Sequence, residues 1–363
     1  MSAGNIHKSD PIHTKCKVYF DDSKNMSAVP SNSADLIVTS PPYPMIAMWD
    51  EIFSQQNPSI KNALEKQDGP LAFELMHQEL DRVWQEGYRV LKDGSLACVN
   101  IGDAARTING DFRLYPNHAR ILNALVNLGF SVLPAIIWRK QTNAPNKFMG
   151  SGMLPAGAYV TLEHEYILIL RKGSKREFKK DKDKQNRRRS SIFWEERNIW
   201  FSDVWMDLQG TVQKMNNKKT RLRSGAYPFE LAYRLINMFS VKGDLVLDPF
   251  LGTGTTMAAA MASCRNSIGF EIDSNFKDAI QLITHDIVEF SNRYNKNRLK
   301  KHIDFAADRE SVKGNLKYKN KHYQFPVVTR QETELFFNDL ESVSITGNGE
   351  FSVAYLGLPS QAL

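Results

Sequence analysis

Short apolar, β-branched runs alternate with amphipathic stretches of helical period along the first three quarters of the chain. That alternation predicts a mostly parallel sheet covered by helices on both faces. Residues 35–38, 95–101, 132–138, 165–170, 244–247 and 267–272 read as strands, and 71–91, 117–128, 228–239, 255–262 and 276–294 as helices. Two stretches break the pattern. Residues 172–224 are basic and aromatic and read as an insertion within one α/β domain over 1–300. Residues 301–363 show no usable period and read as a C-terminal appendage of unassigned role.

Composition adds few constraints. The 363 residues are 42% hydrophobic and 24% charged, an ordinary globular balance that excludes disorder and collagen. No apolar run approaches the roughly 20 residues of a spanning helix, and the N-terminus lacks the apolar core of a signal peptide. A cytoplasmic protein without membrane contact is expected. Cys16, Cys98 and Cys264 lie far apart and never form Cys-x-x-Cys, so they read as buried thiols; neither disulfides nor a metal site is indicated.

The net charge of +7 is unevenly spread. Residues 171–189 hold eleven cations against three acids, including Lys179, Lys180, Arg187, Arg188 and Arg189. A second run places Lys214, Lys218, Lys219, Arg221 and Arg223 together with no acid. Between them stand Phe193, Trp194, Trp200, Phe201 and Trp205. Cations displace condensed counterions from a polyanion and rings stack on bases, so a nucleic acid is one reading and a solvated loop the other.

Two stretches carry chemistry. In the first, a strand ends at Asp248 and runs through Pro249, Phe250, Gly252, Gly254, Thr255 and Thr256 into an Ala/Met-rich helix. Glycines let a ligand approach the backbone, and the exposed N–H groups of a helix start favour polar groups. The next strand ends at Glu271, close to the spacing at which a carboxylate meets a nucleotide ribose. The loop lacks the lysine of a P-loop and has Met257 where a dinucleotide fingerprint needs glycine. Asp248 would repel a pyrophosphate and suits a cationic cofactor; S-adenosylmethionine carries both an ammonium and a sulfonium. In the second stretch, Ala34 to Pro44, the hydrophobic strand read over 35–38 stops abruptly at Pro41 and Pro42, with Ser40 and Tyr43 beside them. The proline pair makes a rigid loop with free carbonyls, flanked by a hydroxyl and a ring that could hold a flat amino-bearing base.

Ser-Pro-Pro-Tyr at 40–43 together with Asp-Pro-Phe-x-Gly-Thr-Gly-Thr-Thr at 248–256 resembles the amino-group DNA methyltransferases, in the β order with the catalytic motif first. The resemblance covers roughly residues 34–273 and extends to Tyr88–Gly94 and to the segment from Tyr227 and Pro228 to Arg234. It implies a Rossmann-like, S-adenosylmethionine-dependent fold. Only 111 residues follow Gly252, too few for a doubly wound sheet, so the missing strands must lie upstream and the fold is circularly permuted.

The resemblance further implies a base turned out of duplex DNA, its amine attacking the sulfonium methyl. Ser40 and the Pro41 carbonyl orient the amine, Pro42 stiffens the loop and Tyr43 stacks on the base. Asp248, Pro249, Phe250, Gly252, Gly254, Thr255 and Thr256 surround the cofactor with Glu271 at its ribose, and Tyr227 and Pro228 lie at its methionine end. Residues 172–224 take the place of the target-recognition region, with Lys179, Lys180, Arg187, Arg188, Arg189, Lys218, Lys219, Arg221 and Arg223 on the DNA. Residues 44–57, including Trp49 and Asp50, are expected to form a mobile loop beside the site. Serine before Pro-Pro points to cytosine N4, with adenine N6 as the alternative; no cysteine follows a proline, which removes carbon-5 methylation. A companion restriction endonuclease would fit such an enzyme. An RNA or protein amine methyltransferase and a non-catalytic DNA-binding module are the rival classes.

Overall fold

Ten strands form one sheet in the computed structural model, which describes residues 12–140, 149–210 and 227–359. In chain order they are β1 (Ile12–Tyr19), β2 (Ala34–Thr39), β3 (Leu91–Ile101), β4 (Phe130–Arg139), β5 (His164–Lys172), β6 (Val204–Trp205), β7 (Leu245–Asp248), β8 (Asn266–Phe270), β9 (Asn338–Gly347) and β10 (Glu350–Pro359). Across the sheet the order is β6-β4-β5-β3-β2-β7-β8-β1-β10-β9. The run from β3 to β1 is parallel throughout. β5 opposes both its neighbours, and β10 and β9 close the other side as an antiparallel hairpin.

The helices are α1 (Asp50–Gln56), α2 (Pro58–Glu65), α3 (Gly69–Val90), α4 (Asn117–Asn127), α5 (Asp181–Arg189), α6 (Trp194–Trp200), α7 (Phe229–Phe239), α8 (Thr255–Ala262) and α9 (Lys277–Lys313). α3 starts where the Asp68 side chain accepts from the Leu71 N–H at 3.0 Å, with Pro70 in its first turn. Every residue of β2 is buried, as a strand covered on both faces must be. Its side chains alternate between two cores. Ile37 faces the cluster built with α2, α3 and α4, while Leu36 and Val38 face the one built with α7 and α8. α8 is apolar around its circumference and buried beyond its first residue.

This is the α/β, mostly parallel, permuted architecture that the sequence predicts, with β2 beside β7 although about 200 residues separate them. Two regions differ from the sequence pattern. The helix expected to end at 294 continues to Lys313. There its buried side includes Asn295, Arg298 and His302, held by Tyr233, Glu196 and Glu195, so polar partners replace the apolar stripe that would have marked it. Residues 338–359 extend the main sheet through β10, which pairs with the unpredicted β1. No described helix is long and apolar enough to cross a membrane.

Tyr355 of β10 ties this hairpin to the core. Its buried hydroxyl donates to the Met261 carbonyl at 2.7 Å and accepts from Thr14 Oγ1 at 3.0 Å. Tyr355→Phe leaves the buried Thr14 hydroxyl without this partner and the Met261 carbonyl with only the Cys264 N–H, and is expected to lower the unfolding free energy by about 1–3 kcal/mol in urea denaturation. A change below about 0.5 kcal/mol would show that the hairpin is only loosely attached.

Candidate active site

Three adjacent parallel strands, β2, β7 and β8, end at one edge of the sheet. Ser40 follows the first, Asp248 ends the second and Glu271 follows the third. A cavity of about 320 Å³ opens there, in the crevice where open α/β sheets bind ligands. Ser40, Pro41, Pro42 and Tyr43 form one wall, and Asp248, Pro249, Phe250, Gly252 and Thr255 another. Glu271 and Tyr227 complete it, so the two distant motifs share one space. Gly254, Thr256 and Pro228 stand behind this lining. Gly254 caps α8 and Pro228 caps α7, while Thr256 touches the Asp248 carboxylate.

The Asp248 carboxylate joins the two walls. It is buried and accepts from Thr39 Oγ1 at 2.6 Å and from the Phe250 N–H at 3.0 Å. The Thr256 hydroxyl also donates to it, and the Tyr227 hydroxyl lies 3.3 Å away. Burial raises the Asp248 pKa while these bonds oppose the rise. Burial and the neighbouring Asp248 carboxylate hold the Tyr227 phenol well above its ordinary range, so it remains a donor.

Gly252 and Gly254 turn the chain from β7 into α8 with φ of +55° and +88°, the left-handed region where L side chains are strained. A Cβ on Gly254 would also meet Ile283 Cδ1 at 2.9 Å. The turn aims the Gly252 N–H at Glu271 Oε2, 2.8 Å away, while Glu271 Oε1 accepts from the Asp273 N–H at 2.8 Å. Burial raises the Glu271 carboxyl to about 7 against the pull of those two N–H groups.

Opposite, the Tyr43 hydroxyl donates to Glu165 Oε2 at 2.9 Å and lies 3.1 Å from Ser40 Oγ. Asn100 Nδ2 donates to the Tyr43 oxygen at 2.9 Å and to Glu165 Oε2 at 2.7 Å, and Lys140 Nζ pairs with Glu165 Oε1 at 2.9 Å. Burial, then the Glu165 carboxylate, holds the Tyr43 phenol well above its usual range. Asn100, Glu165 and Lys140 escaped the sequence reading because they sit singly on β3, on β5 and just past the end of β4, with no motif around them. Asp21, Asp22 and Ser23 line the cavity as well, from the loop that follows the unpredicted β1.

The segment expected as a mobile loop at 44–57 is instead a 3₁₀ turn over Ala47–Trp49 followed by α1. Asp50 is gripped by both terminal nitrogens of Arg106, at 2.8 and 2.7 Å, while Met48, Trp49, Ile52 and Gln56 face the cavity. This ion pair spans 56 residues, which local reading cannot see.

The first basic run lies elsewhere. Because β5 is antiparallel, the chain leaving Lys172 emerges where β2 and β7 begin, roughly 20 Å from the cavity for a six-residue strand. There Arg176 forks onto Asp244 at 2.6 and 2.9 Å. Lys179 pairs with Glu177 at 3.0 Å, Arg187 stacks on Phe178, and Arg189 lies over Phe336. Lys179, Lys180, Arg187, Arg188 and Arg189 are therefore not brought to the cavity. Lys218, Lys219, Arg221 and Arg223 lie outside the described residues. Among the described residues, Glu195, His302 and Glu332 come close enough to share a metal. His302, however, is already bonded through both ring nitrogens, to Glu195 and the Pro326 carbonyl.

Comparison with known proteins matches this geometry to a family. The chain is 50% identical over 345 residues to the Type II methyltransferase M.MthZI of Methanothermobacter thermautotrophicus, covering 95% of this chain and 96% of that protein. It is 49% identical over 281 residues to the Type II methyltransferase M.MjaI of Methanocaldococcus jannaschii, covering 74% and 91%. The fold aligns with TTHA0409 of Thermus thermophilus, described as a putative DNA modification methylase and solved in complex with S-adenosyl-L-methionine. That alignment has a TM-score of 0.58 and 30% identity, over 75% of this chain and 96% of that one. The family model for N6/N4 DNA methylases matches residues 34–282. The chain belongs to the N6/N4 DNA methylase family.

Proposed function

We propose that this protein transfers the methyl group of S-adenosyl-L-methionine to the exocyclic N4 of a cytosine turned out of duplex DNA. The observation that carries the reading is the single cavity in which the Ser40–Tyr43 loop faces the Asp248–Thr255 turn and Glu271. S-adenosyl-L-methionine is the cofactor, and its cationic methionine end suits the carboxylate of Asp248. Glu271 takes the ribose hydroxyls, Pro249, Phe250, Gly252, Gly254, Thr255 and Thr256 form the turn around the donor, and Tyr227 and Pro228 close the methionine end. Bound there, the donor would supply an electrophilic methyl group.

On that wall Ser40 Oγ and the Pro41 carbonyl accept from the amine, Pro42 keeps the loop stiff and Tyr43 packs on the base. Holding amine and methyl in line converts a bimolecular encounter into a unimolecular step, and the oxygens stabilise charge developing on nitrogen. A cytosine inside the duplex cannot reach this cavity, so flipping is required. Lys218, Lys219, Arg221 and Arg223 are the cations assigned to the DNA around the flipped base. Of the described residues beside that stretch, Tyr227 lines the cavity, and a Cβ on Gly210 would sit 3.5 Å from Lys140. The cations of 179–189, at the other end of the strands, are left as phosphate contacts outside the target. A restriction endonuclease cutting the same sequence is the expected companion.

Nucleosides from DNA incubated with the protein and labelled donor are expected to contain N4-methylcytosine by mass spectrometry. N6-methyladenine would keep the enzyme and overturn the base; label on RNA or protein alone would overturn the DNA reading. Tyr43→Ala is expected to lower turnover at least about 100-fold while donor affinity stays within a few-fold of wild type. Loss of donor binding would show that the two walls are not functionally separate. Glu271 accepts ribose hydroxyls best when ionised. With its carboxyl at about 7, donor affinity measured by calorimetry should weaken several-fold as pH falls from about 8 to about 6. Glu271→Gln should remove most of that slope, and an unchanged slope would assign the titration elsewhere.

A further inference from the structure

Ser40, Tyr43, Glu165 and Lys140 form one continuous chain of hydrogen bonds along the cavity wall. Counting protons sets its direction. Tyr43 has one phenolic proton, and it points at Glu165 Oε2. The phenol oxygen accepts from Asn100 Nδ2. At the 3.1 Å contact between Ser40 and Tyr43, the tyrosine has no second proton to give, so Ser40 is the donor. The lone pairs of Ser40 Oγ are thereby left free for an amine entering the cavity.

The arrangement is held at a cost. Asn100 is only 2% exposed, and its Oδ1 has no partner among the described residues. Its amide is aimed at Tyr43 and Glu165 while its carbonyl stays unsatisfied, the kind of orphaned group that calls for a functional reason. Lys140 occupies the other oxygen of Glu165. Among the described residues, the charged and titratable groups bonded to Glu165 are Lys140 and Tyr43; Asp248, Tyr227 and Glu271 line the same cavity.

We propose that Glu165 is a positioning residue that polarises Ser40 through Tyr43 and receives the proton released by methyl transfer. The inference rests on the reading of the Ser40 loop as the amine site. The amine lone pair forms the new N–C bond, the S–C bond breaks with its electron pair on sulfur, and the nitrogen is left as an ammonium. One N–H proton passes to Ser40 Oγ as the Ser40 proton passes to Tyr43 and the Tyr43 proton to Glu165. Tyr43 stays neutral throughout, since it gains one proton as it gives up another. Glu165 ends as a neutral acid beside Lys140 and returns its proton to water when product leaves.

Glu165→Gln keeps an acceptor for the Tyr43 hydroxyl and removes the basic site. Single-turnover methyl transfer to DNA from labelled S-adenosyl-L-methionine, measured from about pH 6 to about pH 9, is expected to fall about 100-fold near neutrality. The loss should shrink at high pH, where hydroxide takes the proton, with donor affinity unchanged. Tyr43→Phe keeps the ring and is expected to fall by a similar factor. The double variant should be no slower than the worse single one, because both interrupt one relay. Rates within about two-fold of wild type, losses that multiply in the double variant, or a pH-independent loss accompanied by lost donor binding would each overturn the relay. A wild-type protein that transfers no methyl to any DNA would instead overturn the functional reading beneath it.

Discussion

The hydrogen bond between Thr39 and Asp248 is the constraint on which the site depends. Thr39 is the last residue of β2 and Asp248 the last of β7, and their 2.6 Å contact bridges 209 residues of sequence. The carboxylate is buried, so its charge survives only because hydroxyl and N–H donors surround it. Those donors come from both walls and from the start of α8. Satisfying one buried charge therefore sets the relative position of the Ser40 loop, the glycine turn and Tyr227.

The electrostatics of the cavity follow. Glu271 feels burial first and then, among smaller effects, the charge of Asp248, both of which raise its pKa. Two carboxylates facing one small space are poorly solvated in the absence of a cation, and a positively charged ligand relieves both. The opposite wall repeats the theme in another form, with the Glu165 carboxylate neutralised by Lys140 and capped by Tyr43 and Asn100. Each wall thus holds its acid in place through contacts between strands that are remote in sequence.

What could be read from the chain was whatever repeats or is locally compact. β2, β7 and β8 are short apolar runs ending at Ser40, Asp248 and Glu271, and the glycine turn lies within a few residues of its helix. The hairpin of β9 and β10 went unread because its register is written in pairing with β1, more than 300 residues away. The second half of α9 buries asparagine, arginine and histidine at 295, 298 and 302, which periodicity counts as surface. Lys140, Glu165 and Asn100 are ordinary polar residues until the sheet sets three strands side by side.

The basic run over 171–189 separates the two kinds of knowledge most clearly. Its charge is a property of composition, evident without any fold, whereas its distance from the cavity depends on β5 running antiparallel to β3. The sequence by itself determined the α/β class, the order of the two motifs and the points at which strands give way to the Ser40–Tyr43 loop and the Asp248–Gly254 turn, because strand period, glycine turns and proline stops act over a few residues. Only the tertiary structure decided that the two motifs share one cavity, that Glu165 backs Tyr43, and that α5 lies at the far end of the strands. Those outcomes depend on strand order and direction, which are settled by burying both faces of the sheet at once rather than by any local run of residues.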